Sequence, residues 1–269
     1  MGRLAGKDTT QTKKRRPLLT RIKSRLTPPP PPSPLERYEA RLSEDLRPPF
    51  SELDLAGLAL QVTIDILKPR RAIDVGCGAG RHARLLREAG CDVLAVDFGR
   101  SVYYGRREDG TDIAIGDFLE LDLPGDMDLV WISHVLEHQP DVNRFLRRAR
   151  ACLAQDGWAV VTVPPAKPQI VGGHLTHWSP GLLLYNLVLA GFDGASARLL
   201  RHGYNITAFC RPHSDPLPEL DYDSGDIDRL TDRFPPGCME GFDGAMTEYL
   251  WTPPGYGLGG GRISSQDSR

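Results

Sequence analysis

In AIDVGCGAGRHARLL, residues 72–86, Gly76, Gly78 and Gly80 alternate between an apolar run and an amphipathic one. Lacking a Cβ, they let the backbone turn tightly and come close to a ligand, and the N–H groups opening a following helix attract an anion. A nucleotide-type cofactor belongs in such a cradle. Asp97 ends the next apolar run, 17 residues after Gly80 and next to Phe98. A carboxylate there accepts hydrogen bonds from ribose hydroxyls.

The spacing narrows the cofactor. A dinucleotide fingerprint, G-x-G-x-x-G counted from Gly76, needs glycine where Arg81 stands, and the pattern is instead D-x-G-x-G-x-G. Its extra acid, Asp74, would repel phosphates and suits a cationic amine. S-adenosyl-L-methionine offers that amine. A nicotinamide-dependent oxidoreductase on the same sheet is the rival, and Arg81 opposes it.

The segment 164–187, PPAKPQIVGGHLTHWSPGLLLYNL, is too long for a simple connector. Gly172 and Gly173 let it close over a substrate, and Trp178 offers a stacking face. His174 or His177 could take the proton from an attacking hydroxyl, because imidazole is half-deprotonated near neutral pH. Either could equally bond backbone carbonyls. His134-x-x-Glu137-His138 spells a zinc-protease pattern, but it follows the apolar run LVWIS directly and Pro140 interrupts any helix. In DYDSGDID, 221–228, Gly225 falls where a calcium loop needs a ligand. No metal is expected at either place.

These groups need a scaffold. Short apolar runs at 72–75, 93–97, 113–117, 129–133 and 158–163 alternate with amphipathic stretches at 81–88, 101–108 and 142–153, the last ended by Gly157. Strand, helix, strand is the rhythm of a parallel sheet. A helix capped by Ser51 and Asp54 precedes the first strand, Ser179-Pro180 opens another, and residues 198–211 read as a hairpin. The sum is an open α/β sheet covered on both faces, and no internal repeat is visible. In 269 residues the longest apolar stretch, Leu182 to Ala190, is broken by Asn186 and is far too short to span a membrane.

The glycine turn and the acids after it resemble the class I S-adenosylmethionine-dependent methyltransferases over roughly residues 53–210. That resemblance implies a doubly wound, seven-stranded, mostly parallel Rossmann-like sheet. It implies that the Asp74–Gly80 turn holds the methionine end and that Asp97, with Phe98, holds the ribose. Asp117 and Phe118, in IGDFLELDLP, would lie beside the adenine. His134, where the family often has an acid, would end the fourth strand under the cofactor, with Glu137 and His138 lining the mouth. The 164–187 segment, with AGFD at 190–193 and GYNI at 203–206, is similar to bacterial methyltransferases associated with polysaccharide or sugar metabolism. The activity expected is methyl transfer to a small-molecule or glycan acceptor, at a hydroxyl oxygen. A non-catalytic nucleotide-binding module is the other reading.

Charge divides the chain. Residues 1–34 carry +8 and the remainder −10, within a net charge of −2. The first segment, basic and then proline-rich, reads as a disordered arm. Nucleic acid, an anionic membrane surface or no partner at all would each suit its charge, and the absence of aromatic residues there disfavours nucleic acid. Residues 35–212 form the methyltransferase domain, 213–252 an accessory segment and 253–269 a loose, glycine-rich tail. Five cysteines without a CxxC pair, and no apolar leader, fit a reducing, cytoplasmic setting.

Overall fold

The structure, a computed structural model, describes residues 31–107, 112–240, 242, 246, 249–256 and 261–262. By contacts the chain divides into Met1–Pro31 and Pro32–Arg269, and all but the last residue of the first unit lies outside the described set. So does most of the basic arm.

The body begins earlier than its composition suggests. Helix α1, Pro34–Glu44, starts inside the proline-rich run because Ser33 and Glu36 form a reciprocal capping box and Pro34 occupies the first turn. The Ser33 hydroxyl accepts the Glu36 N–H at 3.2 Å, and Glu36 accepts the Ser33 N–H at 2.7 Å. Tyr38 and Leu42 bury one face of α1. The helix expected from Ser51 is also corrected. Phe50–Glu52 is a 3₁₀ turn, Leu53 is extended, and α2 spans only Gly57–Val62 before a π-helical turn, Thr63–Leu67. Gly57 sets that start, since a Cβ there would lie 2.2 Å from the Phe50 carbonyl oxygen.

The sheet follows the expected rhythm. Strands β1 (Arg71–Val75), β2 (Asp92–Asp97), β3 (Ala114–Ile115), β4 (Met127–Ser133), β5 (Leu153–Val163), β6 (Arg198–His202) and β7 (Asn205–Cys210) lie in the order β3-β2-β1-β4-β5-β7-β6. Every pairing from β3 to β5 is parallel, and β7 runs antiparallel to both β5 and β6. Ala72, Ile73, Leu129, Val130, Trp131, Ile132, Val160 and Val161 are fully buried, which explains continuous apolar runs rather than alternation. Helices α3 (Arg81–Glu88), α4 (Val142–Ala151) and α5 (Pro180–Leu189) connect the strands.

Two connections differ from expectation. Residues 101–108 hold only a 3₁₀ turn, Tyr104–Arg106, because Val102 and Tyr103 are exposed and bury no stripe; Glu108 lies outside the described residues. Gly157 does not end α4, which stops at Ala151. It lies inside β5, where the register with β4 shifts and a Cβ would meet the Met127 carbonyl at 2.5 Å.

Downstream, Asp226 accepts the N–H groups of Asp221 and Tyr222 and starts a short helix, α6, Asp226–Arg229. The tail is not uniformly loose. Strand β8 (Trp251–Thr252) pairs with β9 (Gly261–Arg262), and Tyr256 is buried with its hydroxyl between Gln61 and Asp65, both at 2.9 Å. Apolar side chains among the glycines, Trp251 and Tyr256, anchor it.

Candidate active site

The glycine turn lies at the carboxyl ends of β1 and β2, where open α/β sheets bind ligands. Gly76 and Cys77 both donate to the Val96 carbonyl, at 2.8 and 3.1 Å, curling the chain around the end of β2. Gly76, at φ +69°, packs so closely on Val135 that a Cβ would lie 2.4 Å from Cγ2. The turn after β4 is therefore seated against the glycine turn.

Asp97 does more than wait for a ligand. Its Oδ2 accepts the Gly78 N–H at 2.9 Å and its Oδ1 the Gly99 N–H at 2.7 Å, with only 5% of the residue exposed. The carboxylate clamps the turn while each oxygen keeps a lone pair for a further donor. Asp74 lies deeper, 1% exposed. Burial pushes its carboxyl up to about 7, and the bond from the Ala83 N–H opposes that shift. Its Oδ2 has no protein partner. His82, which sequence reasoning did not single out, braces the same turn. It accepts from Trp131 Nε1 at 3.1 Å and donates to the Leu55 carbonyl at 3.2 Å, and burial pushes it down to about 4, so it is neutral.

Beyond β2, Phe98 is 54% exposed and Ile115, at the end of β3, 51% exposed. The Arg100 guanidinium lies 4.8 Å from the Phe98 ring centroid, and Asp117 is exposed with Oδ1 accepting the Leu119 N–H at 2.9 Å. Phe118 requires a correction. It is buried, its ring centroid 5.0 Å from that of Phe145 on α4, so it belongs to the core.

His134 follows β4 with φ +55°, a conformation a non-glycine residue adopts only when its surroundings hold it there. Asn205 supplies that hold. Its amide donates to the His202 carbonyl at 3.0 Å, so Oδ1 is free to accept from the Ala56 N–H at 3.0 Å and from His134 Nε2 at 2.9 Å. The His134 ring stacks on Tyr204, centroids 5.9 Å apart, and its Nδ1 lies 3.3 Å from Glu137 Oε1.

Glu137 is 1% exposed, and its Oε2 has no hydrogen-bond partner. Beside it, His138 donates from Nδ1 to the Gly173 carbonyl at 2.7 Å, and its ring meets His174 edge-on at 5.0 Å. Burial holds His174 below the usual imidazole range. The Leu175 N–H, bonded to the Glu137 carbonyl at 2.7 Å, ties the 164–178 loop to the turn after β4.

That loop walls a groove lined by Lys167, His174, Thr176, His177, Trp178 and Tyr204. Its enclosed interior is about 10 Å³, room for a single water. Thr176 Oγ1 and Trp178 Nε1 are buried there without partners, and His177 is exposed at the rim. The Lys167 ammonium lies 4.1 Å from the Tyr204 ring centroid. Sequence reasoning brought His174 and His177 together here. The stacking face expected of Trp178 is corrected: Trp178 is 3% exposed and packs in the core. Sequence reasoning missed Lys167, Tyr204 and Asn205, although GYNI carried the last two. Among the described residues no helix is long and apolar enough to cross a membrane.

Comparison with known proteins agrees with this architecture. A family model described as a methyltransferase domain matches residues 17–206. A ubiquinone biosynthesis O-methyltransferase from Bordetella avium is 28% identical over 111 residues, 38% of this chain and 46% of that protein. A trans-aconitate 2-methyltransferase from Mycolicibacterium gilvum is 32% identical over 103 residues, 38% of this chain and 40% of that one. The matches thus span less than half the length of these relatives. Among solved structures, a SAM-dependent methyltransferase from Archaeoglobus fulgidus superposes with a TM-score of 0.50 at 18% identity, over 65% of this chain and 99% of that one, a likeness of fold. From the family match and the sheet order together, the chain belongs to the methyltransferase-domain family, in the class I, S-adenosylmethionine-dependent architecture.

Proposed function

We propose that this protein transfers the methyl group of S-adenosylmethionine to a hydroxyl oxygen of a small molecule. The observation that carries the reading is a juxtaposition. A glycine turn clamped by Asp97 and a groove bearing partnerless polar atoms meet through Val135 and the 134–138 turn, at the carboxyl ends of the parallel strands.

In this reading Asp97 takes the ribose hydroxyls, and Phe98 with Asp117 takes the adenine. Asp74 lies too deep to touch the cofactor's amine directly, so it acts through the field of its carboxylate. The acceptor enters the groove beside Tyr204. Its oxygen must come within about 3–3.5 Å of the methyl carbon along the S–C axis, so positioning supplies much of the rate. A new C–O bond forms as the C–S bond breaks, the sulfonium becomes a neutral thioether, and the hydroxyl proton goes to His177, the exposed imidazole at the rim. The O-methyltransferase name of one relative favours oxygen as the acceptor atom. A glycan acceptor rests on the sequence resemblance alone, as does the cytoplasmic setting on composition.

The test is transfer of labelled methyl from S-adenosylmethionine to a panel of hydroxylated aromatic, carboxylic and sugar acceptors. Label should enter an ether with at least one member, and His177→Ala should lose turnover while cofactor affinity stays within about a factor of two. Label appearing only on amines would overturn the hydroxyl assignment.

A further inference from the structure

Three groups on the mouth side of the groove are arranged as ligands rather than as isolated side chains. Glu137, His138 and His174 each offer one ligand atom, and those atoms all lie within 4.8 Å of one another. Glu137 is almost wholly buried, yet Oε2 has no hydrogen-bond partner. A buried carboxylate in that condition is costly unless a cation or donor completes it.

One of the two imidazoles is oriented by a backbone bond. His138 donates from Nδ1 to the Gly173 carbonyl, which leaves Nε2 as an acceptor, 3.9 Å from Glu137 Oε1. Fixing one ring nitrogen by a backbone bond so that the other is bare is how metal-binding histidines are oriented. His134 repeats the arrangement one layer out. Its Nε2 proton is committed to Asn205, so its Nδ1 confronts the carboxylate at 3.3 Å. His174 is tied to Glu137 by its neighbour's backbone bond, Leu175 N–H to the Glu137 carbonyl.

We propose that Glu137, His138 and His174 form a divalent-cation site at the mouth of the groove. Two imidazoles and one carboxylate, with a coordination position left open, suit a borderline cation such as Zn2+ better than Mg2+ or Ca2+. The secondary structure that counted against zinc does not apply. The ligands come from a 3₁₀ turn, Leu136–His138, and from a separate loop, and His134 is not one of them. In a tetrahedral site with bonds of about 2.0–2.1 Å, ligand atoms lie about 3.4 Å apart, so the cluster closes by about 1.4 Å at its widest. The site itself stands on geometry. Its use, polarising an acceptor oxygen so that it gives up its proton more readily, rests on the proposed function.

The experiment uses the full chain, stripped with a chelator, dialysed and titrated with Zn2+ by calorimetry and with Co2+ by visible spectroscopy. One equivalent should bind, and Co2+ should give the intense d–d bands of a four-coordinate N/O site. E137Q, H138A and H174A should each weaken binding at least tenfold, while H177A binds as the parent does. S-adenosylmethionine affinity, measured on the same samples, should stay within about twofold and reports that each variant is folded. Absence of stoichiometric binding would overturn the site, and so would equal affinity in the parent and all three ligand variants. Because metal binding is read without an acceptor, it fails independently of methyl transfer: a metal-loaded protein inactive on every acceptor would strike the proposed function and leave the site standing.

Discussion

The glycine turn and the groove beyond β5 meet at the carboxyl ends of the parallel strands, but they treat their polar groups in opposite ways. At the turn Asp97 has both oxygens bonded to backbone N–H groups, and Gly76 and Cys77 share one carbonyl. In the groove Glu137 Oε2, Thr176 Oγ1 and Trp178 Nε1 are buried with no partner. A seat whose hydrogen bonds are already made is rigid and can serve a ligand of fixed shape at little ordering cost. Unsatisfied groups are costly to bury and are retained where something else completes them. At the ends of β1 and β4, Asp74 Oδ2 and Ser133 Oγ are likewise buried without partners.

The largest expected effect separates the two regions most cleanly. His177→Ala should lower turnover on the true acceptor by about 10²–10⁴ and leave cofactor binding alone, because the lost group moves a proton and holds nothing on the other side. Gly76→Ala should do the reverse. Its Cβ would collide with Val135 in a left-handed backbone, and S-adenosylmethionine affinity should fall about 10²-fold by calorimetry.

Asp97→Ala comes next. Losing hydrogen bonds to a charged group costs roughly 1.5–3 kcal/mol, so affinity should fall about 30-fold, and amide exchange at Gly78 and Gly99 should quicken as the clamp opens. Unchanged affinity would remove Asp97 from the cofactor site.

The smallest effect is a pH dependence. Burial raises the folded-state Asp74 carboxyl to about 7 from an ordinary value near 4. The folded protein therefore holds that proton more tightly than the unfolded chain does. The resulting stabilisation is fully present below about pH 4 and is lost as pH rises through about 7. Between pH 4.5 and 7.5 the Tm of Asp74→Asn should decline less than that of the parent, and a parallel decline would show that other groups set the slope.

Much of the cofactor side was legible because its signals are local. The alternating glycines, the acid after the second apolar run and the continuous burial of β1 and β4 each lie in one short segment. Local signals also misled. Residues 101–107 have helical spacing but leave Val102 and Tyr103 exposed, and Phe118 reads as a cofactor contact until Phe145, 27 residues on, is seen to cover it. The α1 cap, Ser33 with Glu36, was present in the letters and hidden by the prolines around it. The groove was the least legible region, since its ligands are distant in sequence: His138 and His174 are 36 residues apart, and Asn205 reaches His134 across 71. Their meeting is a product of sheet order.

The account rests most heavily on which nucleotide the clamped turn accepts. Calorimetric titration of the purified chain with S-adenosylmethionine and, separately, with NADH decides it. The D-x-G-x-G-x-G turn, with Asp74 beneath it and Arg81 where a dinucleotide fingerprint needs glycine, predicts one equivalent of S-adenosylmethionine bound and no heat from NADH. Saturable NADH binding without S-adenosylmethionine binding would contradict it.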